Sequence, residues 1–174
     1  MRIALYRGKS AVSWAIRFIT RSPYSHAAFV FDPAASTAAW KFSTKHLPYI
    51  DDGSVIEAWQ GGVRNSPSIS TLHTPGTRVD LFDFVLPLNE QEQTALIKAL
   101  DADIGAPYSY LNVLRFLTRI PGREDGSWFC SELVTQRAAD VDRDFFRDTA
   151  AWRVPPDWIA RTIALQLSSS VVTS

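Results

Sequence analysis

The sequence predicts an α+β domain in which helices pack on one antiparallel sheet. Three observations carry that expectation. Short apolar stretches of strand length fill the first half, helical periodicities gather in the second, and 174 residues with 46% hydrophobic content supply one core rather than two. A single domain over residues 1–167 is expected, with residues 168–174 as a frayed or disordered tail without periodic pattern.

Arg2 to Tyr6 is apolar and is closed by Gly8, as a strand ending in a turn would be. Ser10 is placed to cap a helix in which Val12, Ile16 and Ile19 recur at helical spacing until Pro23 forbids continuation. Ser25 to Phe31 reads as a strand stopped at Asp32-Pro33, with His26, Ala28 and Val30 on one face. Residues 32–53 mix turn formers with Trp40, Phe42 and Tyr49 and predict a long irregular excursion, of the kind that can cover a cleft.

Ser54 to Trp59 is another short strand, closed by Gly61-Gly62, and the segment from there through Pro67 and Pro75 to Gly76 reads as loop. Arg78 to Leu86 alternates, with apolar residues on both faces, so it predicts a central strand. Asn89 and Glu92 form a capping pair for a helix that Gly105 and Pro107 end. Further periodic stretches run from Tyr108 to Thr118 and from Cys130 onward, and a last helix begins at Pro155-Pro156-Asp157.

Lys plus Arg and Asp plus Glu both number 18, so no net charge draws the chain to nucleic acid, for which no motif is present either. The basic residues Arg2, Arg7, Lys9, Arg17 and Arg21 precede the first acid, Asp32. Arg17 interrupts the apolar stretch, and no cleavage pattern comes after it, so these residues read as a basic amphipathic first helix rather than a targeting peptide. That helix offers a peripheral membrane contact. No stretch approaches the roughly 18 to 20 apolar residues of a spanning helix. One cysteine excludes an internal disulfide and any cysteine-rich metal cluster, and a cytoplasmic location is the default expectation.

Cys130 follows a turn and opens a helical face formed by Leu133, Val134, Ala138 and Val141, which sets its sulfur at a helix N-terminus, where thiolate is favoured. Its own amide can point at the oxygen of a tetrahedral intermediate. Of the three histidines, His46 and His73 lie among turn residues, where a solvated surface role is usual, whereas His26 begins an apolar strand. Glu57 sits inside an apolar strand, where a carboxylate demands a partner, and it is the choice to accept the Nδ1 proton of His26. Asp80 and Asp83 are fallbacks. Glu132, two positions after Cys130 on a helix, points away from it. A zinc site from His26, His73 and Cys130 has no ligand spacing behind it.

Ser25-His-Ala-Ala-Phe-Val30, Val55-Ile-Glu-Ala58 with Gly61-Gly-Val63, and Phe129-Cys-Ser-Glu-Leu-Val134 together resemble the permuted NlpC/P60 superfamily of papain-like cysteine hydrolases, in its YiiX/YebB-like branch. The histidine, acid, cysteine order matches the permuted group, and Gly105 to Tyr108 and Val154 to Asp157 resemble its flanking segments. The resemblance implies a circularly permuted papain-like fold in which Cys130 attacks a carbonyl, His26 shuttles the proton and Glu57 orients it, through a thioester acyl-enzyme. It requires no metal or organic cofactor.

The leading substrate class is a small amide or cell-wall-type peptide. The enzyme rival is a lipid acyl hydrolase or acyltransferase similar to lecithin:retinol acyltransferase, for which Trp14, Phe18, Trp40, Phe42 and Trp59 offer apolar lining, although ordinary core accounts for most of them. A binding or assembly protein on the same fold is the non-enzymatic rival. Oligomeric state and the identity of the small-molecule, peptide or acyl-lipid partner are not legible from the sequence.

Overall fold

The computed structural model describes residues 1–31, 53–109 and 126–174. These form β1 (Arg2–Arg7), α1 (Ala11–Thr20), β2 (His26–Val30), β3 (Val55–Trp59), β4 (Gly62–Ser66), β5 (Arg78–Phe84), α2 (Glu90–Asp103), α3 (Cys130–Ala139), a 3-10 turn (Ala151–Arg153), α4 (Pro156–Arg161) and β6 (Leu165–Val172). Nearly all of the excursion expected at 32–53, with Trp40, Phe42 and His46, lies outside the described residues, as does most of the periodic stretch beginning at Tyr108.

The strands form one sheet in the order β4-β3-β2-β1-β5-β6, every neighbouring pair antiparallel, as the α+β expectation requires. Alternation sends each strand's residues to two faces. Ile3, Leu5, Ala27, Phe29, Ile56, Phe82 and Phe84 join Leu96, Leu100, Leu133, Val134 and Ile159 in the main core, so α2, α3 and α4 cover this face. Ala4, Tyr6, Ala28, Val30, Val55, Val79 and Leu81 form a smaller cluster on the other face, closed by Ile69 and Val171. Full burial of Leu133 and Val134 contributes about 1.5–3 kcal/mol each, which is what seats α3 against β2 and β3.

The local signals act as their chemistry dictates. The Ser10 hydroxyl accepts from the Ser13 amide at the start of α1, and Arg21 ends that helix in the left-handed region, two residues before Pro23. Asn89 and Glu92 make the expected reciprocal cap on α2. β5 lies between β1 and β6 and is central, as expected.

Three expectations need correction. Gly62–Ser66, read as loop, is β4, because Gly61 and Gly62, both at positive φ, turn the chain back on β3. A Cβ on Gly62 would sit 2.5 Å from the carbonyl oxygen of Ala106, so glycine there also lets the Gly105–Pro107 segment dock on the hairpin. Residues 168–174, expected as a disordered tail, belong largely to β6, whose backbone completes the ladder on β5 without needing apolar periodicity. Finally, Trp14 and Phe18 are not core: they are 64% and 71% exposed.

Candidate active site

β2 and β3 pair only at Phe29–Ile56 and Val30–Val55, and their described ladder goes no further toward His26 and Glu57. Across that open end the His26 ring spans the gap, with Nε2 2.7 Å from Glu57 Oε2. Both residues are buried on the face of Tyr6, Ala28 and Val55. The structure places these two residues in contact, and Nε2 rather than the expected Nδ1 faces the carboxylate.

That choice fixes the tautomer. Burial opposes ionisation of Glu57, yet hydrogen bonds from His26 and His73 outweigh it and hold the carboxyl well below its ordinary range. An ionised carboxylate accepts and never donates, so His26 carries its proton on Nε2. Burial also lowers the pKa of His26 itself, against the pull of Glu57, so the ring rests neutral, and its Nδ1 lone pair meets no donor among the described residues.

Glu57 is held from every side. Oε1 accepts from Ser66 Oγ at 2.8 Å and from Arg64 Nη2 at 3.1 Å, while Oε2 also accepts from His73 Nε2 at 3.3 Å. The His73 side chain is only 4% exposed and its ring stacks on Tyr6 at 4.0 Å, which corrects its reading as a solvated surface group. Its neighbours in sequence are turn residues, and nothing in them signals burial; Tyr6, Glu57 and Trp59, on β1 and β3, define its place. Trp59 presents its ring to both histidines at 4.8 Å, and the buried hydroxyl of Tyr6 has no hydrogen-bond partner among the described residues.

Cys130 opens α3, as its sequence context predicts, on the helix-covered side of the sheet. The amides of Ala27, Ser131 and Cys130 lie against its sulfur, the first of these belonging to the residue after His26. The His26 ring lies on the opposite face of the sheet from α3, the amide of the next residue, Ala27, meets the sulfur, and no hydrogen bond joins thiol and imidazole among the described residues. Burial pushes the thiol up to about 11 although those amides pull it down, so the resting group is a thiol and not the thiolate that a helix N-terminus alone favours.

Cys130 also lines a groove of about 220 Å³ whose wall is almost wholly apolar, built by Val12, Ala15, Ile16 and Ile19 of α1 opposite Phe129 and Pro155. The remaining acidic candidates lie elsewhere. Asp80 is buried in a separate network with Arg7, Tyr24, Arg78 and Ser170, Asp83 pairs with Arg2 at the surface, and Glu132 caps the amide of Phe129.

The architecture and this cluster define an α+β protein with a buried His-Glu pair beside a cysteine at a helix N-terminus. Among solved structures the chain is similar to the crystal structure of metalloprotein yiiX from Escherichia coli O157:H7, of DUF1105, with a TM-score of 0.62 and 15% sequence identity, covering 97% of this chain and 94% of that one. That likeness supports a YiiX-like fold. No family model matches the chain, and no curated protein does.

The same cluster also carries the donor set of a metal site. His26, Glu57 and His73 bring ligand atoms within 4.8 Å of one another, and two imidazoles with a carboxylate are donors that zinc accepts. Tetrahedral bonds of about 2.1 Å separate donors by about 3.4 Å, so the 2.7 Å between His26 and Glu57 must open slightly to admit an ion. These three residues are the ones that would hold it, and it would supply Lewis acidity there. An ion on Nε2 displaces the proton to Nδ1, so metal binding and base function at Nδ1 exclude each other on His26.

Proposed function

We propose that this protein is a cysteine hydrolase or acyl transferase that acts on an amide or ester with an apolar acyl group. Cys130 Sγ attacks the carbonyl carbon while Nδ1 of His26 takes the thiol proton. The leaving amine or alcohol then takes that proton, and the acyl group remains on Cys130 as a thioester. Water, or another acceptor, attacks the thioester through the same base and restores the thiol. Glu57 stabilises the imidazolium formed at each step, and the amide of Cys130 faces the developing oxyanion.

The observation that supports this reading is a tautomer-fixed His26 that directly precedes Ala27, the residue whose amide meets the sulfur of the groove-lining Cys130. Both resting groups are neutral, so the proton moves as the carbonyl is attacked rather than beforehand. The groove favours an acyl substrate over a cell-wall peptide, because the described residues of its wall offer no charged group to meet peptide termini or side chains. An apolar cavity of about 150 Å³ holds benzene, so this one has room for a somewhat larger apolar group.

The test is hydrolysis of p-nitrophenyl esters of increasing chain length, with intact-mass detection of the acyl-enzyme. Acylation of Cys130, loss of turnover in Cys130→Ala and a rise in kcat/KM with chain length are expected. Undiminished hydrolysis by Cys130→Ala removes the proposed chemistry, and indifference to chain length returns the substrate to the small-amide class.

A further inference from the structure

α1 is apolar on most of its circumference, yet Ser13 alone among its ten residues is buried. Val12, Trp14, Phe18 and Ile19 are 54%, 64%, 71% and 46% exposed, an uncommon concentration for the surface of a small domain. Trp14 and Phe18 are one turn apart, with rings stacked at 5.3 Å and an interplanar angle of 12°, and together form a flat aromatic plate.

Cations lie at both ends of that helix. Lys9 precedes the helix, Arg17 lies in its last turn and Arg21 comes directly after it, while residues 1–31 contain no acid. Lys9 and Arg21 are exposed, and Arg17 is half-buried with its guanidinium toward the carbonyl of Gly8. A second copy of the chain packed on this face would bring like charges together. An anionic lipid surface complements them, and aromatic rings with lysine and arginine are what the headgroup boundary accommodates. At about 1.5 Å per residue, ten residues lie along such a surface and do not cross it.

The exposed face is also continuous with the candidate active site. Val12 and Ile19 belong both to the uncovered surface and to the wall of the groove that reaches Cys130. We propose that α1 is an interfacial helix that docks the protein on an anionic bilayer, with Trp14 and Phe18 inserted at the headgroup level and the groove mouth turned toward the lipid. This docking does not depend on the chemistry assigned to Cys130.

The experiment is co-sedimentation of the whole chain with vesicles of mixed phosphatidylglycerol and phosphatidylcholine, and with phosphatidylcholine alone. Binding to the anionic vesicles, weakened by added salt and much reduced on neutral ones, is expected. The Trp14→Ala, Phe18→Ala double variant should lose about tenfold or more in binding while keeping its melting temperature, since neither ring is buried. Lys9→Glu with Arg21→Glu should abolish the preference for anionic vesicles and leave the fold intact. Wild type remaining in the supernatant with both vesicle types overturns the proposal, as does equal binding by the double variant. A dimer that the double variant converts to a monomer assigns the face to a second copy instead.

Discussion

Replacing Glu57 with glutamine keeps the shape of the side chain and removes its charge, and the consequences are set by the four groups it holds. All four, Ser66, Arg64, His26 and His73, donate to the carboxylate. A glutamine has one accepting oxygen. If that oxygen stays on Arg64 and Ser66, its NH2 group meets the Nε2 atoms of both histidines, which must give up those protons to accept. His26 then carries its proton on Nδ1, the nitrogen that takes the thiol proton in the proposed reaction.

A charge-assisted hydrogen bond contributes about 1.5–3 kcal/mol, and unpairing a buried charge costs about 3–5 kcal/mol. Because the amide retains part of the network, a loss of about 3 kcal/mol is expected, which for a chain of this size lowers Tm by about 6–12 °C. The tautomer change should lower kcat by about 10³–10⁴. Calorimetry measures the first effect and long-range ¹H–¹⁵N spectra of the imidazoles report the second without any substrate. A variant that melts with the wild type, or that keeps the Nε2 proton of His26, refutes the tautomer assignment.

Stability should depend on pH from both sides. The folded-state pKa values of His26 and Glu57 are depressed below 6.5 and 4.5, so the unfolded chain binds more protons and stability is lost as pH falls below each of those values. Cys130 is raised from 9.0 to about 11, so its contribution is present below pH 9 and is lost as pH rises toward 11. Denaturant midpoints across pH should therefore form a plateau near neutrality, and Cys130→Ala should remove the first part of the alkaline limb, just above pH 9, while Tyr6 and Tyr24, both raised above 10.0 by burial, keep the remainder. Zinc should slow ester hydrolysis by occupying Nε2 of His26, and His73→Ala should weaken that inhibition by about 10–100-fold; acceleration by zinc would instead indicate metal-assisted hydrolysis. Asp80→Ala should cost about 1–3 kcal/mol, because it leaves the buried Tyr24 hydroxyl without its acceptor while the partly exposed Arg7 turns to solvent, yet leave iodoacetamide labelling of Cys130 unchanged below its unfolding transition, because that network lies apart from the site.

Much of the fold was legible because its signals are local. Ser10, the Asn89–Glu92 pair and Pro156 act on their own helix ends, and alternation in Arg78–Phe84 reflects a strand buried on both sides. The same locality explains the errors. β6 has no apolar period because its stability comes from backbone pairing with β5, and β4 is short and polar because it only closes the hairpin over Glu57.

For the site, the sequence by itself determined which residue types were out of place: a carboxylate in Val55–Trp59, a histidine at the start of an apolar strand, and a lone cysteine at the head of a helix. Only the tertiary structure decided how they act together. The early end of the β2–β3 ladder lets His26 reach Glu57 through Nε2, a long-range stack on Tyr6 recruits His73, and burial outweighs nearby amides to hold Cys130 as a thiol. Ring orientation, desolvation and cross-strand pairing depend on residues distant in the chain, whereas the demand of an apolar strand for a partner to its charge is written in the strand itself.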